Sequence, residues 1–252
     1  MSVDGNLATE ERLRWLRTRL QADGNVRIAA AAGELAVSEM TIRRDLQELD
    51  AMGLARRVRG GAVAVGPAPY AERQRRSARA KARMAAKLLP LVPARGAIGI
   101  DASSTLVRLA SQIESARDLV VVTNGLETFA ALTGKAGVSA ILTGGTVEPR
   151  TGSLVGPIAC RAAAQFRFAR LFVSASGIDS EAGTYEPCLE EAEVKWAMAA
   201  AAADVVLAVD STKLERGDVT VGMDWGRVST LVTELDPASR RLAAYRDRVR
   251  VI

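Results

Sequence analysis

Between Val37 and Ala62 the chain gathers residues that pair with phosphates and with the edges of bases. Ile42, Leu46 and Leu49 recur at i, i+4 and i+7 and define one apolar stripe of a helix. The opposite face carries Met40, Arg43, Arg44 and Gln47, flanked by Thr41 and Glu48. Ser38 stands just before this stretch as an N-cap, its hydroxyl placed to accept an unpaired backbone N–H of the first turn. A helix of this width fits the major groove of duplex DNA, where Arg and Gln read base edges. Arginine also neutralises phosphates and releases their counterions. Arg56, Arg57 and Arg59 then lead into Gly60-Gly61, a hairpin turn signal. A basic hairpin beside such a helix lies along phosphates or enters the minor groove. The expected architecture is a winged helix-turn-helix, with Ser38, Met40, Thr41, Arg43, Arg44, Gln47, Arg57 and Arg59 as the DNA-contacting set.

Two further helices must position that face. Leu13, Leu16 and Leu20 share one side of an expected helix over residues 10–21, and a second is expected over 28–35. Ala36-Val37 makes the tight turn between the second helix and the basic one, and Gly53 is placed to end the latter as a glycine cap. The charge follows the same division. Residues 1–87 hold 17 of the 34 Lys and Arg but only 10 of the 29 Asp and Glu, an excess of +7. The remainder carries −2, so the basic surplus lies where the nucleic-acid helix is expected.

A second group of chemistry-bearing residues recurs at the ends of short apolar runs. Asp101-Ala102-Ser103-Ser104-Thr105 follows the first run, Thr123-Asn124-Gly125 the second, and Thr143-Gly144-Gly145-Thr146 the third. Ser174 to Asp179 follows the fourth, and Asp210-Ser211-Thr212-Lys213 the fifth. Hydroxyls and backbone N–H groups at a helix start make an anion site. Asp and Asn bind sugar hydroxyls, and Lys213 pairs with a phosphate or carboxylate. Strands are expected at 97–101, 119–123, 138–143, 171–175, 205–210, 230–233 and 249–252. Helices are expected at 105–115, 126–133, 190–203 and 238–245. This alternation predicts an α/β fold with a mainly parallel sheet, covered on both faces, whose ligands bind at the carboxyl ends of the strands.

Composition narrows the classes. The 252 residues allow two domains: 8–65 for DNA binding, a linker and helix over 66–87, and an α/β effector-binding and oligomerisation domain over 88–252. Gly66-Pro67-Ala68-Pro69 marks the boundary, and the basic, Ala-rich stretch from Arg73 to Lys87 is expected to form a helix. There is no histidine, which excludes a Ser-His-Asp triad and any histidine-bearing zinc site. Cys160 and Cys188 are not at metal-ligand spacing and are expected as reduced thiols. No cofactor or metal is expected. No apolar run is long enough to span a bilayer and the start lacks a signal-peptide pattern, so the cytoplasm is the expected compartment.

Over about residues 10–252 the chain resembles the DeoR family of bacterial transcriptional regulators. The resemblance is carried by Val37-Ser38 with Thr41 to Leu46, by the wing from Arg57 to Ala62, and by Pro69-Tyr70, Arg73 and Lys81. It continues through Asp101 to Thr105, Thr123-Asn124, Gly144-Gly145, Gly156, Gly177-Ile178-Asp179, Glu191 with Lys195 and Met198, and Asp210 to Lys213. It implies a C-terminal domain similar in fold to ribose-5-phosphate isomerase. It also implies a non-enzymatic repressor of a carbohydrate-catabolic operon, acting as a homo-oligomer on double-stranded operator DNA. A phosphorylated sugar or related small anionic metabolite would release it. Ser104, Thr105 and Lys213 would hold the phosphate, Asp101, Thr123 and Asn124 would bind the sugar hydroxyls, and Ser103, Gly144, Gly145 and Glu191 would complete the effector site. Arg59 stands where the family has His, Ser103 and Ser174 where it has Gly, and Ala169 where it has Asp. The alternatives are a sugar-phosphate isomerase-like enzyme using Glu191 or Asp179 as base, and a DNA-binding protein with a degenerate, ligand-free second domain.

Overall fold

A computed structural model describes residues 3–52, 54–64 and 70–252, without the side chains of residues 3–8, 21 and 22. The expected glycine cap at Gly53 and the breaker Gly66 to Pro69 lie outside the described residues. The chain divides into two compact units, residues 1–73 and 74–252.

The first unit opens with α1 (Val3–Asp23), followed by β1 (Asn25–Arg27), α2 (Ile28–Glu34) and α3 (Glu39–Ala51). The hairpin β2 (Ala55–Val58) and β3 (Gly61–Ala64) completes it, with β3 paired to both β1 and β2 in antiparallel fashion. Leu16, Leu20, Ile42, Leu46 and Leu49 are buried together with Val26, Ala31 and Ala62, so the apolar stripe of α3 faces α1 and the sheet. Strand β1 was not expected; it is only three residues long and carries no alternation to read. The wing turn also differs from expectation. Its loop is Arg59-Gly60, with Gly60 at φ +82, while Gly61 already pairs in β3. Gly61 is required by close packing, because a Cβ there would lie 2.0 Å from the Val26 carbonyl oxygen.

Helix α2 ends in a left-handed residue that is not glycine. Ala36 has φ +53, and Val37 N–H reaches back to the Ala32 carbonyl at 3.1 Å, which closes the helix end in the Schellman manner.

Helix α4 (Tyr70–Arg75) crosses the boundary of the units, and α5 (Ala78–Leu88) opens the second. The single helix expected from Arg73 to Lys87 is therefore broken. Ser77 adopts the left-handed conformation at φ +54. The Gln74 carbonyl, which a continuous helix would give to Ala78, accepts instead from Arg108 at 3.2 Å.

The second unit then alternates β4 (Gly96–Ile100), α6 (Leu106–Gln112), β5 (Ser115–Thr123), α7 (Leu126–Leu132) and β6 (Ala136–Leu142). A hairpin, β7 (Thr146–Glu148) with β8 (Ser153–Val155), leads to α8 (Pro157–Ala164) and β9 (Arg170–Val173). Next come β10 (Gly177–Asp179), β11 (Gly183–Glu186), α9 (Leu189–Ala200), β12 (Val205–Ala208), β13 (Thr220–Val221) and β14 (Thr230–Val232). The chain closes with α10 (Ala243–Arg246) and β15 (Arg250–Val251). Seven strands form one sheet in the order β15-β14-β12-β9-β4-β5-β6, all pairings parallel. A small second sheet pairs β10, β11 and β13. The expected helix at 238–245 starts late, as a 3-10 turn over Arg240–Leu242 that runs into α10.

Both faces of the sheet's interior strands are buried, as parallel sheets require, while alternate residues of the edge strand β6 are exposed. Ile98, Ile100, Val121 and Phe172 point to one core with Leu106, Leu109 and Met84. Leu171, Val173, Val205 and Leu207 point to the other with Val194, Met198 and Tyr245. Among the described residues no helix is long and apolar enough to cross a membrane.

Two stability predictions follow from the first unit. Arg12 grips Asp45 with Nε at 2.8 Å from Oδ2 and Nη2 at 3.2 Å from Oδ1, and the Asp45 side chain is 3% exposed. Arg12→Ala strands that carboxylate and costs the unit about 3 kcal/mol, read as a loss in thermal and urea unfolding. Ala36→Gly relieves the left-handed residue and stabilises by about 0.5–1 kcal/mol in the same assay.

Candidate functional site

The first unit presents a basic face because its capping and packing leave that face nothing to bury. Ser38 Oγ accepts the Thr41 N–H at 3.1 Å and lies 2.9 Å from Thr41 Oγ1, so the two hydroxyls fix the start of α3. Ile42, Leu46 and Leu49 turn inward, while Arg43, Arg44 and Gln47 stand exposed on the opposite side. Met40 is 71% exposed at the same end of the helix. Such an exposed apolar side chain suits the methyl group of a thymine. Arg43 Nη2 lies 3.4 Å from Glu39, an exposed pair one turn apart that holds little energy. Arg57 on β2 and Arg59 in the wing turn are exposed, as is Arg56.

Sequence reading missed the support behind this face. Asp45 sits on α3 between the exposed Arg44 and Gln47 but turns inward to Arg12 of α1. The hydrogen bond that Arg12 donates to Asp45 outweighs desolvation and raises the Arg12 pKa above its ordinary value. The signal lay in the spacing: Asp45 is adjacent to Leu46 and three residues after Ile42, on the edge of the apolar stripe.

In the second unit the sheet order reverses between β4 and β9, and the polar strand ends converge there. Asp101 follows β4 and is fully buried. Its Oδ2 accepts the Ser174 N–H beyond β9 at 2.8 Å and lies 3.5 Å from Lys195 Nζ of α9. Lys195 also donates to the Ser174 carbonyl at 2.8 Å and to Glu186 Oε2 at 2.7 Å. Glu191, one turn earlier on α9, accepts from Ser153 Oγ at 2.6 Å. Lys213 donates to the Ala175 carbonyl, and Asp210 Oδ1 caps the following turn at Thr212 N, 3.0 Å away.

The loop after β4 adds hydroxyls. Ser103 Oγ accepts the Leu106 N–H at 3.1 Å, which caps α6, and Lys81 Nζ of α5 lies 3.0 Å from Ser104 Oγ. Thr105 is buried at the start of α6. Asn124 is a strut: its Oδ1 accepts from Ala102 N at 3.1 Å and its Nδ2 donates to the Leu154 carbonyl at 3.2 Å. Thr123 Oγ1 likewise accepts from Gly125 N at 3.1 Å. Gly144 and Gly145 both take positive φ, and a Cβ on Gly145 would lie 2.6 Å from the Val155 carbonyl oxygen.

Electrostatics mark the centre of this group. Burial pushes the Glu186 carboxyl up to about 7 although Lys195 acts to lower it, with Glu191 and Asp101 adding to the rise. Burial opposes the Lys195 charge, but Glu186, Asp101 and Glu191 outweigh it and hold the ammonium above its ordinary range. Lys195 is therefore a permanent cation. Burial also raises the Cys188 thiol to about 11, so this free cysteine at the start of α9 is neutral.

The structure places Asp101, Ser104, Asn124, Glu191 and Lys213, with Lys195, Glu186, Ser153 and Lys81, beyond the carboxyl ends of the sheet's interior strands. Glu186 and Ser153 escaped sequence reading, because each belongs to a short strand outside the main alternation.

The sequence matches the DeoR-like helix-turn-helix domain over residues 12–67 and the DeoR C terminal sensor domain over residues 76–235. The transcriptional regulator FruR of Bacillus subtilis is 32% identical over 193 residues, covering 75% of this chain and 76% of that protein. The lactose phosphotransferase system repressor of Lactococcus lactis is 29% identical over 244 residues, covering 94% of this chain and 95% of its own. Ribose 5 phosphate isomerase A of Neisseria gonorrhoeae aligns with a TM-score of 0.38 at 15% identity, over 53% of this chain and 52% of that one. A helix-turn-helix unit with an exposed basic face, followed by an α/β unit with the sensor-domain sequence, identifies the chain as a member of the DeoR family of transcriptional regulators.

Proposed function

We propose that the chain is a repressor of a carbohydrate-catabolic operon that binds its operator through α3 and the wing. Release follows binding of a phosphorylated sugar or related small anionic metabolite to the strand-end crevice. Arg43, Arg44, Gln47, Met40 and Thr41 contact the major groove, with Arg57 and Arg59 on phosphates beside it. Residues 8–65 carry DNA binding and 88–252 sensing and oligomerisation, joined through 66–87. The observation that carries this reading is the capped, exposed basic face of α3 next to a basic wing in a chain of this family. The name of the Lactococcus lactis relative, a lactose phosphotransferase system repressor, supports the carbohydrate assignment.

Ser103, Ser104, Thr105 and Lys213 form the phosphate end of the crevice, with Gly144 and Gly145 allowing close backbone approach. Asp101, Thr123, Asn124 and Glu191 shape the remainder, Thr123 and Asn124 chiefly by holding loops in place. We also infer a ribose-5-phosphate isomerase-like arrangement for the sensor domain, from strand ends that offer hydroxyls and lysines around a reversal of strand order. The effector acts only so far as it binds the DNA-free form more tightly than the DNA-bound form.

Two experiments test the two halves separately. The double variant Arg43→Ala, Arg44→Ala should lose specific binding to the chain's own promoter region by about 100-fold or more in footprinting at fixed salt, with unfolding unchanged; retained affinity contradicts the assignment. Lys213→Ala should weaken stabilisation by phosphorylated sugars about tenfold in ligand concentration, read by thermal shift, with operator affinity intact.

A further inference from the structure

Glu186 has no part in the phosphate end described above, yet it is 2% exposed at the end of β11 with Oε2 bound to Lys195. Its Oε1 has no hydrogen-bond partner, and neither has Asp101 Oδ1. Both oxygens are shut off from water, and an acceptor left without a donor inside a protein is costly. The two carboxylates flank one ammonium, and Glu191 on the same helix acts on it as a third. A metal ion is not what this group lacks, because Lys195 already stands between Asp101 and Glu186. The nearby lysines are turned to other atoms: Lys213 to the Ala175 carbonyl and Lys81 to Ser104 Oγ. A phosphate seated at Ser104 and Lys213 would draw on those two charges and leave three carboxylates around Lys195.

We propose that Glu186 and Asp101 select an effector that carries a primary ammonium as well as a phosphate. The inference rests on the reading of this crevice as the effector site. An ammonium offers three donors and a positive charge, which answers two orphaned acceptors and the surplus of carboxylate together. A hydroxyl offers one donor and no charge. Lys195 is the least buried of the three, its side chain 11% exposed against 0% for Asp101 and 2% for Glu186. Burial pushes the Glu186 carboxyl up to about 7, against the pull of Lys195. The groups that face it are Lys195 and Glu191 from α9 and Asp101 from the end of β4.

The test is calorimetric titration of the full-length protein with inorganic phosphate, glucose 6-phosphate and glucosamine 6-phosphate. The wild type should bind glucosamine 6-phosphate about tenfold more tightly than glucose 6-phosphate. Glu186→Gln should bring the two within about twofold. Equal affinities in the wild type, or a preference that survives Glu186→Gln, overturn the proposal. Should Glu186→Gln fail to fold, the wild-type comparison decides alone. Failure of all three probes to bind overturns the effector reading of the crevice, and is thereby distinct from binding without discrimination.

Discussion

The carboxylate of Asp101 joins the two halves of the parallel sheet where the strand order reverses. At such a reversal neighbouring strands send their connections to opposite faces, and the backbone groups at their ends are left without sheet partners. Asp101 satisfies one of them, the N–H of Ser174, from a fully buried position. That burial demands a counter-charge, and Lys195 provides it while also taking the Ser174 carbonyl. Lys195 in turn draws in Glu186. Each link answers a charge or hydrogen-bond demand raised by the one before it, and the result is a buried polar network inside an otherwise apolar α/β unit.

The DNA-binding unit uses the same logic on a smaller scale. Arg12 and Asp45 fasten α1 to the inner side of α3, and the leucine stripe of α3 packs beside them. With that side fixed and the start of the helix capped by Ser38, the outward rotation of Arg43, Arg44 and Gln47 is determined rather than chosen. Gly61, which has room for no Cβ against Val26, sets the wing close to β1 in the same way. Arg43, Arg44 and Gln47 are exposed, and their facing depends on the buried Arg12–Asp45 pair and the leucine stripe behind them.

Sequence reading went furthest where periodicity was strong. The stripe of Ile42, Leu46 and Leu49 gave α3 its facing, and the alternation of apolar runs with helical patterns gave the parallel sheet. It failed where local order depends on distant partners. The break at Ser77 accompanies the Arg108 bond to Gln74, and nothing in an Ala- and Arg-rich stretch announces it. The three-residue strands β1, β7 and β8 are too short for any pattern, and with β8 went Ser153 and its bond to Glu191. Glu186 was invisible because a lone glutamate beside a proline reads as a loop, and only the fold brings it to Lys195. Asn124 was read as a binder of hydroxyls; in the structure its amide oxygen braces Ala102 and its amide nitrogen Leu154.

The central claim is that occupancy of the crevice changes affinity for DNA. Fluorescence anisotropy of the full-length protein on a labelled fragment of its own promoter, at fixed salt and with a graded series of phosphorylated sugars, measures that coupling directly. The account predicts that one such metabolite weakens operator binding by about tenfold or more, a coupling of about 1.4 kcal/mol. An operator affinity that stays constant while a phosphorylated sugar demonstrably occupies the protein would contradict it.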